Sequence, residues 1–554
     1  MKKRCRAGRR IGSAARRAVL LLALLSNLTA STILPARAQE SYVAREDVAR
    51  FRDRAVTTLA VSGAGKGYWG MLVTDADTGE VLYALNAERY FMPASNVKLF
   101  TTTFALATLG PDFRIRTTIE TTGVVDRNGR LSGDIVLVGR GDANLSNRVF
   151  PYVERAPRAG PPETILAALA DQVAVRGVKQ IAGDVVADDS YFIPARFPPG
   201  WTVDDTVWSY GAAVSPIAIN DNALTIEVAP GDRAGTPLRY RIEPASHLYE
   251  VRDRASTTPA HTEPQLRLSR DPESRVFVLS GTLPVGAPPR ELSVGVTEPA
   301  ENAADLLARL LEARGIRIEG HSRAVHAEIG ATPQAIAAAA PTVLAEHMSP
   351  PLLDDVRLTN KISQNLHAEL MLRVAARERG EAMTLDDAVK FAAQFYQSVG
   401  PAGDDVLLED GSGLSRNDLV TSQSVVQLLT YAARQPWGAD FVATLPVAGE
   451  DGTLAGRMKD TSAAGRVHAK TGTFERVNSL AGYATSARGE RLIFSIFGNN
   501  IGAPNHGDTG APSRAAIGVP NRDAAAILDA LCVAMVEELG AVPQVPSATP
   551  EVPQ

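Results

Sequence analysis

Cysteine is almost absent from this 554-residue chain, which contains only Cys5 and Cys532. Two such residues exclude a disulfide-stapled scaffold. The eight histidines are scattered and form no H-E-x-x-H pair, which excludes that metallopeptidase signature. No apolar run approaches the ~20 residues that a membrane-spanning helix needs. Excess positive charge is also missing: 57 Lys and Arg stand against 62 Asp and Glu, for a formal charge of −5. Nucleic acid is therefore a poor partner for the chain. What remains, 45% hydrophobic and 21% charged residues, is the balance of a globular protein too long for a single core.

The first 38 residues read as a secretory leader. Lys2, Lys3, Arg4, Arg6, Arg9, Arg10, Arg16 and Arg17 form a basic start, Ala18 to Leu25 an apolar centre, and Ala36-Arg37-Ala38 a small-x-small cleavage site. Removing them leaves 48 basic residues against 62 acidic, a charge of −14, with no polybasic membrane patch. Cys532 falls among Ile527, Leu528, Leu531 and Val536 of a helical pattern and reads as a buried apolar side chain.

Hydrophobic periodicity outlines the elements. A helix is expected over Glu46–Leu59, a hairpin over Tyr68–Leu85, and a helix opened by Pro93-Ala94-Ser95 and stopped by Gly110-Pro111. From Phe113 to about Gly320 the texture is short strands and turns, with one helix over Ala303–Arg314. Gly133-Asp134 and Gly183-Asp184 each introduce an apolar run there. Helices are expected again over Leu344–Arg377, Leu385–Ser398 and Ser422–Gln435. Strands follow over Arg466–Thr473, Ser479–Thr485 and Arg491–Asn499, then a helix over Arg522–Leu539. The Pro-rich tail, residues 542–554, is expected to be disordered.

Three short motifs carry the chemistry. Ser95-Asn96-Val97-Lys98 is S-x-x-K at a helix start, Ser363-Gln364-Asn365 is S-x-N, and Lys470-Thr471-Gly472 is K-T-G on a strand. Residues i and i+3 share a helix face, so Lys98 can reach the Ser95 hydroxyl. An ordinary lysine is a poor base at neutral pH, so desolvation and a second cation, Lys470, are expected to depress Lys98. The amides of Ser95 and Thr473 are expected to cradle an oxyanion. Ser363 would relay a proton to the leaving amine, Asn365 would hold the substrate amide, and Lys470, Thr471 and Thr473 suit a terminal carboxylate. This ordered set is the one found in penicillin-binding proteins and class A β-lactamases.

On these motifs the chain resembles the class C low-molecular-mass penicillin-binding proteins, D-alanyl-D-alanine carboxypeptidases/endopeptidases of the penicillin-binding protein 4 type. Met92-Pro93-Ala94-Ser95-Asn96-Val97-Lys98-Leu99, Gly139-Arg140-Gly141-Asp142, Asp410-Gly411-Ser412-Gly413-Leu414-Ser415-Arg416 and His468-Ala469-Lys470-Thr471-Gly472-Thr473 carry the likeness, with 268 positions separating Ser95 from Ser363. The resemblance implies an α/β (α+β) serine transpeptidase/β-lactamase-like domain, split by a large β-rich insertion that forms two extra domains. Its halves are expected at residues 39–112 and 340–541, the first inserted domain at 113–216 and 296–339, and the nested one at 217–295.

The resemblance also implies an acyl-Ser95 mechanism on peptidoglycan stem peptides and cross-links. Catalysis would fall to Ser95, Lys98, Ser363, Asn365 and Lys470, with Thr471, Gly472 and Thr473 binding substrate. Asp205 would lie near a diaminopimelate ammonium, Tyr210 beside its aliphatic part, and Arg416 against its carboxylate, with Glu475 as a second acidic contact. No metal or organic cofactor is implied. β-Lactam antibiotics are implied as covalent inhibitors, and the periplasm, with the mature protein free or loosely held at membrane or wall, as the location. The rival readings are a β-lactamase and a catalytically silent peptidoglycan-binding scaffold.

Overall fold

The computed structural model describes residues 45–60, 64–150, 152–153, 158–328, 340–501 and 522–540. The expected leader and the tail lie outside these residues. Among the described residues no helix is long and apolar enough to cross a membrane.

A five-stranded antiparallel sheet organises the two ends of the chain. Its order is Val81–Leu85, Tyr68–Asp75, Arg491–Asn499, Val477–Thr485, Val467–Phe474. Side chains alternate across a strand, so each face can build its own core. Leu72, Ala481, Tyr483, Ile493 and Phe497 face one side, packed with Leu99, Phe100, Phe104 and Leu429 of the helices there. Met71, Val73, Leu480, Phe494 and Ile496 face the other, against Phe51 of helix Glu46–Leu59 and Leu528, Leu531 and Cys532 of helix Arg522–Glu538.

Helix Val97–Leu109 lies within the first of these layers. Its first ten residues are all buried, Lys98 and Thr101, Thr102 and Thr103 among them, so it is covered on every side rather than half-exposed. Phe100 and Phe104 are fully covered, and truncating either to alanine is worth ~3–5 kcal/mol. The helix that follows Ser95 is therefore held by packing along most of its length.

The middle of the chain forms separate sheets. One is mixed, ordered Ser322–Val325, Val185–Asp188, Ile135–Val138, Arg116–Thr121, Thr342–Met348, with helices Thr164–Val175 and Pro299–Glu312 in its core. The runs after Gly133-Asp134 and Gly183-Asp184 pair in parallel, Ile135 beside Val185. Farther out, Arg290–Gly295, Ala223–Ala229 and Arg239–Glu243 form an antiparallel sheet around Leu224, Ile226, Phe277 and Leu279. The expected α/β class with a β-rich middle is the fold observed.

Two expectations fail in detail. Leu344–Arg377 is not one helix: Thr342–Met348 is a strand paired with Arg116–Thr121, and helices Leu352–Ile362 and Asn365–Gly380 follow. Pro350 and Pro351 supply no backbone N–H and separate strand from helix. Ser363 then breaks the helical run with a left-handed φ of 61°. Helix Thr164–Val175, in a region expected to hold only short strands and turns, buries Leu166, Leu169, Ala170 and Val173 on one face.

Candidate active site

The nucleophile candidate sits on a strained turn. Ala94 takes a left-handed φ of 49°, Ala94–Asn96 forms one 3-10 turn, and the buried helix begins at Val97. A non-glycine residue there costs ~1–2 kcal/mol. The surroundings hold it: a Cβ on Gly413 would lie only 2.6 Å from the Ala94 carbonyl carbon, so loop Gly411–Leu414 is pressed against the turn.

Lys98, one helical turn on, is completely buried. Its Nζ lies 3.0 Å from Ser95 Oγ, 2.6 Å from Asn365 Oδ1 and 2.6 Å from the Ser412 carbonyl, so all three donors have partners. Burial, opposed by the carboxylates of Asp410, Glu369 and Asp418, brings its pKa down to about 7. The expected second cation does not supply that depression. It is Lys470 that is pushed well below an ordinary lysine, by its own burial and then by Lys98.

Lys470 reaches the site from the edge strand Val467–Phe474. Its Nζ donates to Ser363 Oγ at 2.9 Å and to the Thr471 carbonyl at 2.7 Å. Ser363 closes one helix and Asn365 opens the next, so a two-residue joint brings one side chain to Lys470 and the other to Lys98. Asn365 donates from Nδ2 to the Tyr210 carbonyl at 2.8 Å, which fixes Oδ1 toward Lys98.

The edge strand leaves amides free by its position. Ala469 N–H turns outward to the Pro446 carbonyl, so two-residue periodicity also points the Thr471 and Thr473 amides off the open edge. Gly472 is required where this strand passes the turn, because a Cβ would come within 2.6 Å of the Pro93 oxygen and 3.1 Å of Ser95 N. Ser479 Oγ ties the neighbouring strand to the same Pro93 oxygen at 2.7 Å. Thr471 Oγ1 donates to Thr453 Oγ1 at 2.9 Å, and Thr473 is exposed.

The remaining candidates form a second group beside the first. Arg416 donates to both oxygens of buried Asp205 and to the Leu414 carbonyl at 2.8 Å, with its guanidinium 4.4 Å above the Phe474 ring. Asp205 Oδ2 also accepts from Thr202 Oγ1 at 2.7 Å. Burial, then Asp205, pushes the Tyr210 hydroxyl above the ordinary tyrosine range. Asp205 and Arg416, expected to address opposite ends of a zwitterion, are thus paired with each other. Glu475 stands apart, exposed, and its nearest ion-pair partner is Arg476 at 3.8 Å.

Two further groups shape the site: Asp410, quoted in a motif above without a role, and Glu369, which carried no motif. Asp410 folds the Ser412–Arg416 loop by accepting from the amides of Ser412, Gly413, Leu414 and Ser415, and from Trp201 Nε1 at 2.8 Å. Glu369, fully buried, accepts from Gly411 and Ser412 N–H at 2.9 Å. The available signal was charge in an apolar helix, since His367, Glu369 and Arg373 interrupt a run of Leu, Ala and Met. A cavity of about 790 Å³ opens at the opposite edge of the sheet, lined by Val81, Arg89, Gln427 and Tyr431, and contains none of the motif residues.

Residues 55–516 match the family described as D-Ala-D-Ala carboxypeptidase 3 (S13). The chain is also 34% identical over 504 residues to a D-alanyl-D-alanine carboxypeptidase of Actinomadura sp., covering 89% of this chain and 88% of that one. The chain belongs to the S13 family. D-alanyl-D-alanine carboxypeptidase DacB of Haemophilus influenzae is 27% identical over 437 residues, 78% of this chain and 85% of its own. The crystal structure of penicillin-binding protein 4 from H. influenzae shares the fold, with a TM-score of 0.72 at 23% identity over 88% of this chain and 99% of that one.

Proposed function

We propose that the chain is a serine-type D-Ala-D-Ala carboxypeptidase that also acts as a DD-endopeptidase on peptidoglycan cross-links, through an acyl-Ser95 intermediate. The observation that carries this reading is the buried Lys98 amine 3.0 Å from Ser95 Oγ, with its pKa brought down to about 7. A serine hydroxyl becomes a nucleophile when a neighbouring base takes its proton, and this lysine is neutral enough to do so.

In the proposed mechanism Lys98 accepts the Ser95 proton as Oγ attacks the D-Ala-D-Ala amide carbonyl. The Ser95 and Thr473 amides stabilise the oxyanion, each worth ~2.7–4 kcal/mol in the transition state. Asn365 holds the substrate amide. Ser363, hydrogen-bonded to Lys470, relays to the leaving amine the proton that Lys98 took from Ser95 as the C–N bond breaks, giving acyl-Ser95, free D-Ala and a neutral Lys98. Water then hydrolyses the ester, with Lys98 again as base. A substrate carboxylate beside Lys470, Thr471 and Thr473 would raise again the lysine pKa that burial lowers. When the leaving amine belongs to a cross-link, the same steps are endopeptidase cleavage.

The Asp205–Arg416 pair, with Tyr210, suits a side chain bearing both an ammonium and a carboxylate, each end taking one partner from the pair. Glu475 is the outer contact in this reading. Penicillin-binding protein 4 from H. influenzae has also been crystallised in complex with a β-lactam. We read β-lactams as acylating inhibitors here too, and the protein as exported to the periplasm after loss of residues 1–38. The first half of the peptidase domain ends near residue 112 in this reading. Its second half begins after Met348, because Thr342–Met348 pairs with the middle sheet.

Intact mass against time, for residues 39–554 mixed with a penicillin, tests this. The expected result is one persistent adduct, absent from Ser95→Ala, with D-Ala released from peptides ending in D-Ala-D-Ala. Rapid Ser95-dependent hydrolysis of the antibiotic would mean a β-lactamase. Unmodified protein with intact antibiotic would leave a binding module.

A further inference from the structure

The Gly139-Arg140-Gly141-Asp142 motif has no part in the mechanism above, yet it borders a buried charged cluster. At its centre is His367, fully buried in the first turn of the helix that Asn365 opens. His367 Nδ1 lies 2.6 Å from Asp355 Oδ1, on the helix that ends just before Ser363. Its Nε2 lies 3.3 Å from Asp221 Oδ1, which comes from the middle of the chain. Asp221 Oδ2 accepts from Arg148, from Arg158 at 3.2 Å and from Gln364 Nε2 at 3.2 Å. Gln364 is the residue between Ser363 and Asn365. Asp142 flanks the cluster, its Oδ2 3.6 Å from His347 Nε2, while a Cβ on Gly141 would strike Val374 of the same helix.

The segment that delivers Asp221 is strained. Asn220, Asp221 and Asn222 have φ values of 55°, 54° and 53°, three left-handed residues in succession. Left-handed residues normally occur singly, so a run of three persists only where the surroundings over-determine it. Asn220 Nδ2 donates to the Ala223 carbonyl at 2.7 Å, Asn222 Nδ2 to the Ala213 carbonyl at 2.9 Å, and Asp221 N–H to Ser146 Oγ at 2.7 Å. All this structure aims one carboxylate at the Ser363–Asn365 joint. Asp355 and Asp221 outweigh burial at His367 and hold its pKa up to about 9, so the clasp is ionic at neutral pH.

We propose that His367 is a positioning residue: clasped between Asp355 and Asp221, it sets the two-residue joint that presents Ser363 and Asn365. The middle of the chain thereby acts on acylation from behind the site. This inference rests on the acyl-Ser95 reading. The carboxylate-binding group of Lys470, Thr471 and Thr473 lies on a different element, so loosening the clasp should slow acylation far more than it weakens initial binding.

The test is stopped-flow acylation by a chromogenic β-lactam, separating the rate constant k2 from the dissociation constant K. In folded His367→Gln, k2 should fall about 10- to 100-fold, the scale expected for misplaced catalytic groups, with K within about 3-fold. Leu169→Ala, which opens a cavity in the middle sheet's own core, should lower the melting temperature and leave k2 unchanged. Should His367→Gln fail to fold, Arg158→Gln decides, because it loosens Asp221 from a partly exposed position. A k2 within about 2-fold of wild type in a folded clasp variant, or a change confined to K, overturns the proposal. Absence of Ser95-dependent acylation in the wild type would instead defeat the parent reading.

Discussion

Lys98 Nζ lies 3.0 Å from Ser95 Oγ while two further acceptors, Asn365 Oδ1 and the Ser412 carbonyl, each sit 2.6 Å away. The amine is thus oriented by two fixed groups and left one direction in which to exchange a proton. Only its neutral form can accept that proton, and its pKa stands near 7. The acylation rate constant should therefore rise ~10-fold per pH unit below about pH 7 and level off above it. Lys98→Met should slow acylation by ~10²–10⁴-fold. Lys98→Arg should not rescue it, since a guanidinium does not release its proton in this range. A flat profile between pH 5 and 9 would remove Lys98 as the base.

Gly472 gives a sharper steric test. A methyl group there meets the Pro93 oxygen and the Ser95 amide, the latter a proposed oxyanion donor. Gly472→Ala should displace the edge strand from the turn and destabilise the protein by ~1–3 kcal/mol. Acylation should fall further than that loss of stability explains, by ~10²-fold or more. The check is the acylation rate at a temperature where circular dichroism shows the variant still folded. Wild-type acylation there would mean that the strand does not frame the oxyanion site.

Much of this site was legible because local patterns carried it. S-x-x-K needs one helical turn and K-T-G one strand, and both elements announced themselves through apolar periodicity and the Gly110-Pro111 stop. The joint at Ser363 was not legible, since a left-handed serine without glycine leaves no mark in sequence. Thr342–Met348 was misread because Val343, Leu344 and Ala345 fit helix and strand equally over so short a run, although Pro350-Pro351 marked its end. The Asp205–Arg416 pair joins residues 211 positions apart, and Asp221 meets His367 across 146. Such contacts follow from the docking of the middle of the chain, which no local period encodes.

The pairing of Asp205 with Arg416 makes a prediction about selectivity. Asp205→Asn keeps the shape and the Thr202 contact but removes the charge offered to an ammonium. For D-Ala-D-Ala peptides whose side chain ends in a free zwitterion, kcat/KM should drop roughly 10-fold or more. Peptides lacking the ammonium should be cleaved almost as by wild type. Equal losses on both substrates would show that the pair is structural only.

The ionic state of His367 can be followed through stability. Its folded pKa of about 9 lies above the ordinary 6.5. A raised cationic pKa contributes stability that is complete below about pH 6.5 and is lost as pH rises through 9, on the order of 3 kcal/mol in all. Other groups titrate with other signs. Lys98, depressed to about 7, makes the fold more stable as pH rises from 7 toward 10.5, and Asp142, raised to about 7, acts only below that value. The difference between wild type and His367→Gln cancels both, provided the variant leaves Asp221, Asp355, Arg148, Arg158 and His347 in place. Urea midpoints at pH 6.5, 8 and 10 should show the wild-type advantage at its largest at pH 6.5 and gone by pH 10. An advantage that does not change with pH would mean that His367 is held neutral, by hydrogen bonds alone.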